Sequence, residues 1–159
     1  DRFEALLASH DSATEALATW CAAEHLAARP EIRVRRIIGA DAPPPPGLAG
    51  LLGVGPHAQL SYRHVALICG ERTLSEAHNW YVRDRLTPAM NHALDSSDIP
   101  FGRVAAPLHF RREALAHQRG QCSTGAISTH RALLRLADEA PLALVIECYT
   151  AANLAGGGG

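Results

Sequence analysis

The chain has 159 residues, of which 47% are hydrophobic and 19% are charged, and its formal net charge is −1. These values are typical of one globular domain with an ordinary core. Because no broad positive field is present, we expect no nucleic-acid partner. No apolar run approaches the roughly 20 residues that a membrane-spanning helix needs, so no membrane partner is expected either. The first residue is Asp1, and we therefore expect the chain to be a fragment.

The cysteines and histidines carry no metal-binding pattern. Four cysteines occur without a CxxC pair, and nine histidines are scattered without an HExxH motif. We therefore predict no metal. Cys69 and Cys148 lie in apolar runs, where a cysteine usually acts as a small core residue. We interpret the cysteines as free thiols, which predicts a reducing compartment and a cytoplasmic location.

The N-terminal part is predicted to contain a helix, a strand and a linker. Ser12 and Glu15 form an S-x-x-E capping box, which predicts a helix from Ser12 to Ala27. A short strand is predicted over Ile32–Ile38. The proline run within Ala42–Gly47 can join neither a ladder nor a helix interior, so an exposed linker follows. The glycine-rich segment after it lacks a GK[ST] ending, which favours a turn over a phosphate-binding loop.

The remaining elements favour an antiparallel sheet. Strands are predicted over Ser61–Cys69, Thr73–Val82, Arg103–Phe110, Ser128–Leu136 and Leu142–Thr150, and helices over Leu86–Leu94 and Arg112–Arg119, the latter ended by Gly120. Short hairpin connections imply antiparallel pairing. The predicted class is α+β, an antiparallel sheet with helices packed on one face. Residues 1–155 are predicted to form a single domain, followed by a flexible glycine tail at 156–159.

Two charged residues lie among apolar neighbours in these strands. Glu147 lies within the apolar strand Leu142–Thr150, and Arg63 shares a strand face with Val65 and Leu67. A buried charge is costly unless it is paired or bound by a ligand. Two explanations remain open at this point. In the first, the two residues form a structural salt bridge or lie exposed at strand ends. In the second, both line one internal pocket.

Four segments resemble chorismate pyruvate-lyases in order and spacing. Ser61–Gly70 resembles their W-x-R-E-V-x-L-x-x hairpin, and Ile99–Arg103 resembles their T-P-L-G-R turn. Leu142–Tyr149 resembles the closing strand P-L-x-L-T-E-x-F, and Asp11–Thr14 resembles the D-S-M-T that opens an early helix. The resemblance extends from about residue 5 to residue 154. It implies a chorismate lyase-like fold, an antiparallel sheet with helices on one face and an enclosed site.

The resemblance also implies an activity and a set of site residues. The family converts chorismate to 4-hydroxybenzoate and pyruvate without a cofactor or metal. By resemblance, Arg63 would bind the ring carboxylate, and Glu147 would contact the opposite end of the ring as base or hydrogen-bond anchor. Phe101 would occupy the position of a leucine whose backbone touches the ligand, and Ala13 that of a methionine over the ring.

The elimination also needs a second cation, which would bind the enolpyruvyl carboxylate. The candidates for this cation are Arg103, Arg111, His78 and His64.

Other positions depart from the family pattern. Ala13 opens the roof of the implied pocket, His78 follows the small residue where the enzymes tend to have arginine, and Val82 replaces a frequent proline. Such departures are consistent with a changed substrate or with loss of catalysis.

Three functions are therefore compared. The first is a lyase acting on chorismate. The second is a non-catalytic domain that binds a small molecule such as an aromatic carboxylate, like the effector domains of regulators that share this fold. The third is a related enzyme with another aromatic or cyclic carboxylate as its substrate, which the altered Ala13 and His78 favour over the second.

Overall fold

A computed structural model describes residues 1–119 and 126–154, which contain one six-stranded antiparallel sheet. The strands are β1 (Ile32–Arg36), β2 (Leu60–Cys69), β3 (Arg72–Val82), β4 (Arg111–Arg119), β5 (Ala126–Arg135) and β6 (Pro141–Thr150). The helices are α1 (Arg2–Ala8), α2 (Ala13–Ala23), α3 (Leu48–Leu51), α4 (Pro88–Ser96) and α5 (Phe101–Val104). In space the strands follow the order β1-β2-β3-β6-β5-β4. The α+β class predicted from the sequence is confirmed.

Two tight hairpins organise the two halves of the sheet. The β2–β3 turn begins at Gly70, whose φ of 61° lies in the left-handed region that glycine adopts without strain. β5 and β6 are joined by a short turn at 136–140, and β6 then pairs with β3 in the middle of the sheet. Glu147 thus lies on a central strand, with a paired strand on each side.

Helix α2 begins where the capping box predicts. The hydroxyl of Ser12 accepts a hydrogen bond from the amide of Glu15 at 3.4 Å, and this satisfies one of the free donors of the first turn. The helix ends at Ala23, earlier than predicted. Its buried side, which includes Leu17 and Trp20, packs with Phe3 of α1 over the sheet.

The sheet has two faces with different partners. We call the face that contacts α1, α2, α4 and α5 the front face; it carries the apolar core beneath these helices. On the back face, Leu48 and Leu52 of the α3 segment pack on Trp80, Leu133 and Leu144. The prediction of helices on one face therefore holds for four of the five α-helices that the structure describes, and the short α3 lies on the other face.

Two elements were predicted with the wrong structure. Arg103–Phe110 is not a strand: α5 and a turn of 3-10 helix at Ala106–Leu108 occupy most of it, and Pro107 lacks the amide that a ladder requires. Arg112–Arg119 is not a helix but lies in the edge strand β4. Its alanine, glutamate and glutamine residues have helical propensity, and pairing with β5 overrides that preference.

The prediction of free thiols is wrong. Cys21 of α2 and Cys69 of β2 form a buried disulfide between the helix layer and the sheet. Cys122, the end assigned to Gly120 and the predicted glycine tail at 156–159 lie outside the described residues. Among the helices that the structure describes, none has both the length and the apolar character required to cross a bilayer.

Candidate functional site

The front face contains a small cavity beneath the first turn of α2. Its apolar wall is formed by Val65, Leu67, Phe101, Phe110, Leu134 and Val145. Its polar wall includes Asp11, Thr14, Asn79, Arg112 and Glu147. The cavity has a volume of about 50 Å³, which is enough for a few water molecules. An apolar enclosure with a few converging polar groups is the usual form of a small-molecule site.

Glu147 is fully engaged at the floor of this cavity. Nη1 and Nη2 of Arg112 donate to Oε2 and Oε1 of Glu147 at 3.0 and 2.5 Å, which makes a bidentate ion pair. The hydroxyl of Tyr149 donates to Oε1 of the same carboxylate at 3.0 Å. The carboxylate of Glu147 thus accepts three hydrogen bonds, and two of them come from one guanidinium.

The electrostatics of this group follow from burial and pairing. Burial alone would lower the pKa of Arg112, but the charge of Glu147 and its hydrogen bonds raise that pKa above its ordinary value. Burial, reinforced by the negative charge of Glu147, raises the pKa of Tyr149 well above its usual range. Arg112 therefore stays charged and Tyr149 stays a hydrogen-bond donor over the whole physiological pH range.

Two polar side chains on the cavity wall, those of Asn79 and Thr14, have no hydrogen-bond partner in the part of the chain that the structure describes. Asn79 is 7% exposed and Thr14 is 6% exposed, and neither side chain makes a hydrogen bond to the residues that the structure describes. Ala13 and Thr14 also belong to the first turn of α2, whose backbone amides have no acceptor within the helix. Unused donors at a helix N-terminus, together with a buried amide, favour a polar or anionic group of a ligand.

The start of α5 is packed tightly against this turn. A Cβ atom at Gly102 would lie only 2.7 Å from the Ser12 hydroxyl oxygen, so glycine permits this approach. The preceding Pro100 and Phe101 line the cavity. Pro100, Phe101 and Gly102 thus form one wall of the cavity, and the chain from Ser97 to Ile99 leads into it.

Arg63 lies behind this wall rather than on the cavity surface. It is 2% exposed, and its two terminal nitrogens donate to the carbonyls of Ile99 and Ser97 at 3.1 and 3.3 Å. Its Nε atom is buried without a hydrogen-bond partner among the described residues. Burial and, secondarily, the nearby charge of Arg36 lower the pKa of Arg63. Within the described ranges no carboxylate lies at ion-pair distance from it.

The two charges singled out in the sequence are therefore not paired with each other. Arg63 and Glu147 both lie on the front face, but the salt bridge of Glu147 is with Arg112. We hypothesised that both residues line one cavity. In this conformation Glu147 lines the cavity and Arg63 does not. Asn79, the strand neighbour directly opposite Arg63, lines the cavity in its place.

The other predicted site residues divide between cavity and surface. Ala13 and Phe101 line the cavity, and the contacts with a ligand that the resemblance implies for them stay a prediction. Arg103 is exposed on α5, and Arg111 forms an exposed ion pair with Glu139. His64 and His78 stack on each other on the back face, with ring centroids 4.2 Å apart. The structure therefore does not bring Arg103, Arg111, His64 or His78 to the cavity.

Sequence reasoning missed Arg112 and Asn79. Arg112 fell in a segment predicted as a helix, where the alternation of strand faces does not apply. Asn79 alternates with Ala77 and Tyr81 on one face of β3, and a buried amide among such neighbours is a signal that could have identified it.

Comparison with known proteins gives one sequence relative of high similarity. No family model matches the chain. The uncharacterized protein y4mC of Sinorhizobium fredii (strain NBRC 101917 / NGR234) is 38% identical over an alignment 166 positions long, gaps included, which covers 91% of this chain and 70% of y4mC.

Solved structures share the fold at low sequence identity. The effector domain of PhnF from Mycobacterium smegmatis has a TM-score of 0.60 and 14% identity, and the match covers 89% of each chain. A longer PhnF structure from the same organism has a TM-score of 0.64 and 13% identity; 89% of this chain matches 64% of that one, so the chain spans less than two thirds of its length. These structures have the chorismate lyase-like α+β fold, and the fold implied by the sequence resemblance is confirmed.

Proposed function

The chain belongs to the family of y4mC, and we propose that it is a non-catalytic domain that binds a small carboxylate, aromatic or otherwise cyclic, in the front-face cavity. The observation that carries this proposal is the distribution of buried charge. Glu147 is neutralised by Arg112. Arg63, which lies opposite Asn79 of the cavity wall, has no carboxylate at ion-pair distance among the described residues, and the charges of Asp98 and Asp95 act on it only from farther away.

The state of Glu147 argues for binding rather than catalysis. A general base must be free to take a proton from its substrate. Glu147 already accepts from both terminal nitrogens of Arg112 and from Tyr149, and protonation would break a buried ion pair. The resemblance to lyases places an acid at this position, but in this chain that acid serves to fix Arg112 and Tyr149.

The position of Arg63 suits a carboxylate ligand. Its guanidinium now donates to two neutral carbonyls, those of Ser97 and Ile99. A carboxylate would replace these with a bidentate ion pair, in which donor and acceptor are both charged and two parallel hydrogen bonds match the planar guanidinium. Because Ile99 directly precedes Pro100 and Phe101, which line the cavity, displacement of this segment would also enlarge a cavity that now holds only about 50 Å³.

The other cavity groups would position the rest of the ligand. Val65, Phe101 and Val145 offer an apolar surface for a ring. Asn79 and Thr14 offer unused polar groups for substituents on that ring. The solved structures with this fold include an effector domain, which is consistent with a binding role.

The proposal is tested by titrating 4-hydroxybenzoate into the protein by calorimetry and by incubating the protein with chorismate while pyruvate is measured. We expect one binding site and no pyruvate release. Phenol, which has the ring but no carboxylate, should bind at least tenfold more weakly. Pyruvate release would establish the lyase instead.

A variant pair assigns the binding to Arg63. Arg63→Gln should weaken 4-hydroxybenzoate binding at least tenfold, whereas Arg29→Gln, at an exposed position outside the site, should bind as the native chain does. Equal affinity in the native chain and Arg63→Gln, or no binding of any cyclic carboxylate, would overturn the proposal.

A further inference from the structure

A second polar site lies beside the cavity, on the outer part of the front face. Glu4 of α1, His117 of β4 and His130 of β5 converge there. Nε2 of His130 lies 2.8 Å from Oε2 of Glu4, and Nε2 of His117 lies 3.4 Å from Oε1 of the same carboxylate. The three candidate ligand atoms all lie within 4.8 Å of one another.

A bulge in β4 brings the two histidines together. Arg112 and Ala114 pair with Leu134 and Ala132 of β5, and the register then shifts so that His117 pairs with His130. The extra residue, Leu115, changes the alternation of faces and turns His117 to the front. Its ring lies against that of His130, with centroids 4.6 Å apart.

We propose that Glu4, His117 and His130 form a binding site for a divalent transition metal, with Zn²⁺ as the ion that fits best. Two imidazoles and one carboxylate are a common ligand set for such metals. At zinc–ligand distances of about 2.0–2.2 Å, the ligand atoms of a tetrahedral site lie about 3.3–3.6 Å apart. The two histidine nitrogens lie 2.8 and 3.4 Å from the two oxygens of Glu4, and the three ligand atoms lie within 4.8 Å of one another, so small side-chain movements would complete the site.

The surroundings suit a cation with an open coordination position. The site opens onto a groove of about 500 Å³, so a fourth position would face solvent. Asp1 and Asp11 line the same groove and add negative charge, while the positive charge of Arg112 is neutralised by Glu147.

Zinc binding tests the proposal directly. The metal-free chain, prepared by dialysis against a chelator, is titrated with Zn²⁺ by calorimetry, and Co²⁺ is added separately to record its visible absorption. We expect one equivalent of Zn²⁺ to bind, and we expect the Co²⁺ complex to show the intense bands of a four-coordinate site.

Two variants and a control connect the binding to these side chains. His117 has 47% of its side chain exposed, so His117→Ala should fold normally, and Glu4→Gln keeps the shape of the side chain. Both should weaken Zn²⁺ binding at least tenfold, and His57→Ala, an exposed histidine elsewhere, should not. Circular dichroism checks that each variant is folded. The proposal is overturned if the native chain binds no Zn²⁺, or if His117→Ala and Glu4→Gln bind it as tightly as the native chain.

Discussion

Arg112 and Glu147 form a bidentate ion pair although their strands are not neighbours. Arg112 lies on the edge strand β4 and Glu147 on the central strand β6, with β5 between them. The guanidinium reaches across β5 on the front face, beneath the first turn of α2. The amide of Arg112 also donates to a carboxylate oxygen of Asp11, just before that turn, at 3.0 Å. One residue thus connects the edge of the sheet, its centre and the helix layer.

Loss of either member of this pair should destabilise the fold strongly. Glu147→Gln and Arg112→Gln each leave one charge buried without its partner, and we expect each to lower the free energy of unfolding by about 3–5 kcal/mol. The double variant Arg112→Met with Glu147→Leu removes both charges and should recover most of this loss. Urea unfolding measures all three. As a control, Arg111→Gln breaks an exposed ion pair and should unfold like the native chain. Single variants as stable as the native chain would contradict the burial of the pair.

Arg63 should determine the order of the cavity wall. Arg63→Met removes the two donors that hold the carbonyls of Ser97 and Ile99, so amide hydrogen exchange across 97–102 should become faster. The amides of α2, which do not depend on these bonds, should exchange at their native rates. Unchanged exchange across 97–102 would mean that other contacts fix this wall.

The Cys21–Cys69 disulfide should contribute substantially to stability. It closes a chain segment with a sequence separation of 48, for which the loop-entropy relation gives about 4 kcal/mol. The double variant Cys21→Ala with Cys69→Ala should therefore unfold at a lower denaturant concentration. Mass spectrometry with thiol alkylation checks that the bond is present in the native protein, and recovery of two alkylated thiols at these positions would refute it.

The back-face histidine pair should make stability fall on acidification. Burial and, to a smaller extent, His64 lower the pKa of His78 below its ordinary value of 6.5. The unfolded chain then binds a proton at a higher pH than the folded chain, so unfolding is favoured as pH falls through the unfolded pKa. Urea unfolding at pH 7.5 and pH 5.5 should show this loss. His78→Gln, which retains an acceptor for the Tyr62 hydroxyl, should lose less, and the exposed His57→Gln should lose as much as the native chain.

The elements that the sequence predicted well are those where pattern and propensity agree. The capping box placed the start of α2, and the alternating apolar residues around Gly70 and in β6 predicted the central strands. The same alternation placed Glu147 among apolar neighbours, and the structure buries it. Ala13 and Phe101 reached the cavity because the chain resembles a family whose fold it shares.

The parts that could not be predicted depend on contacts between distant segments. The partner of Glu147 lies 35 residues away, in a segment whose composition favours a helix. The pairing of Cys21 with Cys69 requires knowledge of how α2 lies over β2. Glu4, His117 and His130 lie close together only because of a register shift in β4, and the spacing of residues in the sequence does not predict that shift.

The Leu115 bulge has a consequence for changes in chain length. Excision of this one residue would restore regular pairing in β4 and would leave Ala116 opposite Arg131 and His117 opposite His130. If Leu115 instead joined the ladder, every residue from Ala116 to Arg119 would exchange its side of the sheet, and His117 would point away from Glu4. A lineage that lost this single codon would therefore keep the two imidazoles and the carboxylate of the cluster together.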